Sequence, residues 1–152
     1  MNIGIIVYSQ TGNTYAVAEI IKNELEAAGH VTNIERVTIT GDPQGSFQLV
    51  NIPDAASYDA LIFGSPVHAF SLARAMAEYL KQLPALQNKK TACFVTKHLP
   101  FGWTGGNRAI TAMENICSEK GAKACESQIV IWAKSKREQS IRRCVKNISS
   151  LF

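Results

Sequence analysis

The apolar run Ile3 to Tyr8 stops abruptly at Ser9-Gln10-Thr11-Gly12-Asn13-Thr14, and a helical pattern starts at Tyr15. Four of those six residues are Ser, Thr or Asn, one is Gly, and none is charged. The stretch therefore reads as strand, loop, helix, with a loop full of hydroxyls and backbone N–H groups. The first N–H groups of a helix have no partner within it, and the helix dipole places partial positive charge there. A phosphate is the natural guest of such a turn. With no Lys or Arg in the loop, binding would rest on hydrogen bonds and the dipole.

The rest of the chain alternates strand with helix. Asn2 to Tyr8 is a continuous apolar run of the kind buried in parallel sheets. Val17, Ile20, Ile21, Leu25 and Ala28 recur at the helical period over 13–28, and Gly29 supplies the stop. Val31 to Val37 alternates and predicts a second strand nearer the sheet edge. Residues 38–57 contain Gly41, Asp42, Pro43, Gly45 and Pro53, and predict a long loop with one short helical turn.

Ala60 to Gly64 predicts a third strand, ending in a loop Ser65-Pro66-Val67-His68-Ala69-Phe70. Ser71 is placed to cap a helix reaching Leu83. Thr91 to Thr96 predicts the fourth strand, and a Gly-rich loop follows from Lys97 to Gly106. A helix over 107–120, a strand within 122–133 and a helix from near Ser135 complete the chain. Such alternation predicts an α/β fold, a doubly wound five-stranded parallel sheet with helices on both faces. Five strands in 152 residues match the order 2-1-3-4-5. Neither a repeat nor a linker divides the chain, so one domain over 1–152 is expected.

In such a sheet, ligands sit beyond the carboxyl ends of the strands at the switch point. Strands one, three and four end in the three loops, so the loops share one edge. Competing phosphate motifs are missing: there is no G-x-x-x-x-G-K-[ST] and no G-x-G-x-x-G after the first strand. A receiver domain would need acidic residues where Ser9 and Ser65 stand.

The Ser9-Gln10-Thr11-Gly12-Asn13-Thr14 stretch resembles the phosphate-binding loop of flavodoxins, which hold the monophosphate of FMN. The resemblance extends from Ile3 to the last helix, by exact residues in the first loop and by position in the other two. It implies FMN as cofactor, with the first loop on the phosphate. Ser65, Pro66, Val67, His68, Ala69 and Phe70 would lie against the isoalloxazine. Thr96, Lys97, His98, Gly102, Trp103, Gly105 and Gly106 would form the second flavin-contacting loop. His68 either tunes the flavin or is a solvated loop histidine. Trp103 or Phe101 could stack on the ring, and either could instead pin the loop to the core.

The resemblance further implies electron transfer between redox partner proteins, with no catalytic acid, base or nucleophile. The alternative is an FMN-dependent NAD(P)H:quinone-type oxidoreductase, an enzyme that leaves one flavin face open. A binding module that has lost its flavin is the third class, and the intact first loop argues against it.

Composition narrows the setting. Hydrophobic residues make up 46% and charged residues 18%, which predicts a globular fold. No apolar run approaches the roughly 20 residues that span a bilayer, so membrane insertion is not expected. The chain opens on a strand-like run without a basic leader, which predicts a cytoplasmic protein. The four cysteines form no C-x-x-C pair and the three histidines are scattered, so no metal site is expected. The net charge of +4 concentrates at Lys134, Lys136, Arg137, Arg142, Arg143 and Lys146. Apolar residues interleave these at helical spacing, so they read as the solvated face of a helix and not as a nucleic-acid site. Flavodoxin carriers are typically acidic, and the basic charge departs from that pattern. A monomer or weak homo-oligomer is expected.

Overall fold

A computed structural model of the chain describes residues 1–101 and 104–152, with the backbone alone at Ala124 and Cys125. The first strand, β1 (Asn2–Val7), leads into α1 (Asn13–Ala27), β2 (Val31–Arg36), β3 (Thr38–Gly41) and β4 (Phe47–Asn51). After a single 3-10 turn at Ala55–Ser57 come β5 (Ala60–His68), β6 (Ser71–Leu72) and α2 (Arg74–Lys81). The chain closes with β7 (Lys90–Lys97), α3 (Gly106–Glu119), β8 (Ala124–Ile131) and α4 (Arg137–Ser149). β2, β1, β5, β7 and β8 pair in that order, all parallel, which is the expected 2-1-3-4-5 arrangement. No helix among the described residues is long and apolar enough to cross a membrane.

The central strands are buried on both faces, which is why they read as unbroken apolar runs. Ile3, Ile5, Val7, Ile62 and Phe94 pack with Val17, Ile21 and Leu25 of α1 and with Cys144 and Ile148 of α4. Ile6, Leu61, Phe63, Cys93 and Val95 pack on the other face with Met76, Tyr79 and Leu80 of α2 and Met113 and Cys117 of α3. Each fully buried large side chain of this kind contributes roughly 1.5–3 kcal/mol. Ile20, expected inward, is 42% exposed; Ala18 takes the inward place on α1. The stripe is narrower than the apolar spacing alone implies.

Three expectations are corrected. Residues 38–57 are not mainly loop: β3 and β4 form an antiparallel hairpin, with Ile39, Phe47 and Leu49 leaning on the core where a crossover helix usually lies. Its turn is closed by Asp42, whose amide bonds Ser46 O and whose carboxylate accepts the Gln44 amide. Arg74 fastens the tip by donating to Gly45 O at 2.6 Å, with its guanidinium 5.2 Å from the Phe47 ring centroid.

The second correction concerns Ser65 to His68, which continue strand β5 rather than forming a loop. Pairing with β7 carries through Pro66, opposite Thr96. The third follows from it. Ser71 does not cap a helix; it pairs with His68 in a short β5–β6 hairpin, and α2 begins only at Arg74. The turn of that hairpin is Ala69-Phe70, with φ of 47° and 63°. Two consecutive left-handed residues are what a two-residue type I′ turn needs, and they normally attract Asn and Gly.

Candidate functional site

The carboxyl ends of β1, β5 and β7 meet in a cleft of about 110 Å³, lined by Gln10, Thr11, Asn13, Pro66, Val67, His68, Thr96, Lys97 and His98. The three segments singled out in the sequence thus converge.

The first loop is built to expose its amides. Gly12 caps α1 at φ 93°, and a Cβ placed there would meet nothing within 4 Å. The left-handed turn leads the chain into the helix, and Gly12 O accepts the Ala16 amide at 2.9 Å. Ser9 Oγ accepts the Tyr15 amide at 3.2 Å. Among the described residues the amides of 10–14 have no such partner, and they lie where the helix dipole is positive. Exposed Thr11 adds a hydroxyl, and Gln10 and Asn13 add amides facing the cleft. Thr14 is different: it is buried, and its hydroxyl is 2.8 Å from that of Thr96. It ties the first loop to β7 from behind.

On the opposite wall, Pro66, Val67 and His68 present the end of β5. His68 meets the Tyr8 ring edge-on, with centroids 6.1 Å apart, and burial lowers its pKa. Desolvation disfavours the imidazolium. Ser65 lies behind this wall, fully buried, with its hydroxyl donated to Pro66 O at 3.0 Å.

The third wall is cationic. Lys97 is 7% exposed, and its ammonium donates to Phe101 O. Burial lowers its pKa. No carboxylate pairs with it among the described residues. Gly106 makes room for it: a Cβ there would stand 3.0 Å from Lys97 Cδ. His98 is exposed at the mouth.

A second cleft, of about 200 Å³, opens beside the first and shares Val67, Lys97 and His98 with it. Ala69, Phe70, Leu99 and Thr104 complete it. Gly105 lies beneath this cleft at φ 105°, and a Cβ there would come within 2.4 Å of the Phe70 carbonyl carbon. Gly105 and Gly106 are therefore packing positions beneath the clefts. Gly102 and Trp103 lie outside the described residues, so the stacking expected of Trp103 is not described; Phe101 is 53% exposed.

Sequence reasoning missed Leu99 and Thr104. Leu99 carried a signal, being two residues past the end of β7 on the ligand edge. Thr104 is held by a hydroxyl bond to Phe101 O and carried none.

An open parallel sheet with a turn of open amides at its switch point and a cleft beside it places the chain in the doubly wound α/β class. The Flavodoxin domain family matches residues 4–100, and the chain belongs to that family. Solved structures agree in fold. Flavodoxin 2 from Bacillus cereus is 21% identical with a TM-score of 0.71, over 99% of this chain and 97% of that one. The flavodoxin of Streptococcus pneumonia TIGR4 is 17% identical with a TM-score of 0.70, over the whole of both chains. The Flv1 flavodiiron core from Synechocystis is 18% identical with a TM-score of 0.71, over 99% of this chain and 35% of its own. No curated protein matches the chain.

Proposed function

We propose that this chain binds FMN in the first cleft and carries electrons between protein partners. The observation that carries the reading is the run of partnerless amides over residues 10–14, facing the ends of β5 and β7 across the cleft. The donor set suits a phosphate monoester, since it offers N–H and O–H donors and no carboxylate. Pro66, Val67 and Thr96 offer a stiff, largely apolar wall to a flat ring. FMN, when bound, supplies the redox chemistry. The chain's own residues hold the phosphate, fix the ring and surround it with charge. The Lys97 ammonium places positive charge at this cleft, which favours negative charge on whatever occupies it.

FMN titration followed by quenching of flavin fluorescence tests the reading. Binding is expected at a one-to-one ratio. Thr11→Asp puts a carboxylate at the amide cluster and should weaken FMN at least tenfold, about 1.4 kcal/mol. Unchanged affinity in that variant would refute the phosphate-loop assignment.

The second cleft favours one further reading, an FMN-dependent NAD(P)H:quinone-type oxidoreductase, because it leaves apolar space beside the first. Steady-state oxidation of NADPH by a quinone, with no partner reductase present, separates the two. Turnover under those conditions would displace the simple carrier.

A further inference from the structure

The carboxyl end of the sheet holds an apolar patch inside a ring of cations. Phe70, Leu99 and Phe101 are 57%, 52% and 53% exposed. Phe70 and Leu99 line the second cleft, and Phe101 follows two residues on. The other large exposed apolar residues lie elsewhere, singly at Ile20 or in pairs, Met1 beside Val31 and Val50 near Ile52. Three such residues gathered at one end make a patch of the kind that marks an interaction site.

The ring comes from four segments: the end of β2 and the starts of α2, α3 and α4. Arg36 is the last residue of the outer strand β2, and Arg137 opens α4 after the outer strand β8. Each guanidinium is laid over an aromatic ring, Arg36 at 4.3 Å from the Tyr15 centroid and Arg137 at 4.8 Å from that of Trp132. Stacking holds these two charges in place, which lowers the ordering cost of using them in a contact. Arg74, Arg108, Lys134 and Lys136 are exposed at the starts of α2, α3 and α4.

Opposing charge is sparse here. Asp42 accepts the Gln44 amide, Glu138 is paired with Arg142, and Glu19 lies nearly two turns into α1. Glu35 of β2 is turned to the Tyr58 hydroxyl. The opposite end of the sheet mixes Glu24, Glu26, Asp54, Asp59, Glu78 and Glu119 with Lys81, Lys89, Lys90, Lys120, Lys123 and Lys146, so charges nearly balance there and the excess positive charge belongs to the ligand edge.

We propose that this end docks an acidic protein with an apolar centre to its contact face, which covers Phe70, Leu99 and Phe101. An apolar core inside a charged rim is the anatomy of protein interfaces. Nucleic acid calls for a continuous cationic track, whereas these cations come from four elements on different sides of the patch. The partner is a redox protein only if the FMN reading holds; the docking itself does not depend on it. The rim charges act chiefly on the rate of encounter and on the choice of partner.

The test uses the protein with and without added FMN and three probes: an acidic [2Fe–2S] ferredoxin, a basic cytochrome c and a single-stranded oligodeoxynucleotide. Binding is measured by calorimetry at about 20 and 200 mM salt, a range over which screening of exposed charges becomes strong. The ferredoxin is expected to bind at low salt and to lose at least tenfold in affinity at high salt. Lys134→Glu with Lys136→Glu should reproduce that loss at low salt, while Lys123→Glu at the far end leaves affinity unchanged. Cytochrome c should bind at least tenfold more weakly than the ferredoxin. Cytochrome c binding as tightly, an oligonucleotide binding more tightly, or a ferredoxin signal absent or indifferent to both salt and substitution would each overturn the proposal. FMN is titrated separately on the same samples. Ferredoxin binding that persists while FMN fails to bind would refute the carrier reading and leave the docking surface standing.

Discussion

Two tight turns lie at the ligand edge, and they solve the same backbone problem with opposite means. The turn into α1 reaches the left-handed region at Gly12, where no Cβ is in the way. The β5–β6 turn reaches it at Ala69 and Phe70, where two side chains resist it. The first turn is relaxed and leaves its amides open. The second is held from outside, by the Val67–Leu72 and His68–Ser71 pairs and by Gly105 pressed against the Phe70 backbone. A site can thus be preorganised by an undemanding local sequence or by a strained one that its neighbours over-determine.

The largest effect should come from removing the support of the second turn. Gly105→Val adds a β-branched side chain at φ 105°, directly into Phe70. A loss of about 3 kcal/mol is expected from clash and backbone strain together, read as a fall in the urea midpoint. An unchanged midpoint would mean that the Phe70 turn is not seated on Gly105.

Relieving the strain should act in the opposite direction and more weakly. Phe70→Gly removes a left-handed penalty of about 1–2 kcal/mol but adds chain entropy to the unfolded state. A net gain of about 0.5 kcal/mol is expected, visible as a small rise in Tm. Destabilisation instead would show that the Phe70 ring contributes more than its backbone costs.

The smallest effect is a pH dependence at His68. Burial lowers its pKa in the folded protein, so the unfolded chain binds more protons at this residue below about pH 6.5. Stability should therefore rise with pH through the window just beneath that value and then level off. Urea midpoints measured across the window should show this slope shrinking in His68→Gln. A slope of the same size in the variant would move its origin to another group.

The same contrast explains what could be read from the residues alone. Gly12 between polar neighbours announces a turn. Ala69 and Phe70 announce nothing, so the extension of β5 through His68 and its short hairpin stayed hidden behind a Ser71 that looks like a cap. The β3–β4 hairpin was half visible. Ile39, Phe47 and Leu49 keep the alternation of a half-buried pair, but Pro43 and three polar neighbours between them read as loop. The expected order of the five parallel strands holds, because those strands are buried on both faces and their apolar runs leave little choice. The convergence of the three segments on one cleft followed from that order. Side-chain assignments within it did not follow: Ser65 and Thr14 turn away into the protein, which depends on the register of β5 against β7 and of α1 over the sheet.

The β3–β4 hairpin takes the place of a crossover helix, and this changes how the molecule comes apart. A helix there would share the cooperative core, whereas the hairpin joins it through three partly buried side chains and the Arg74 bond to Gly45. It should therefore open as its own small unit. Amide protons of 38–51 should exchange ahead of those of β1, β5 and β7, and a protease would find its first cut near Gly45 while the five-stranded sheet stayed folded.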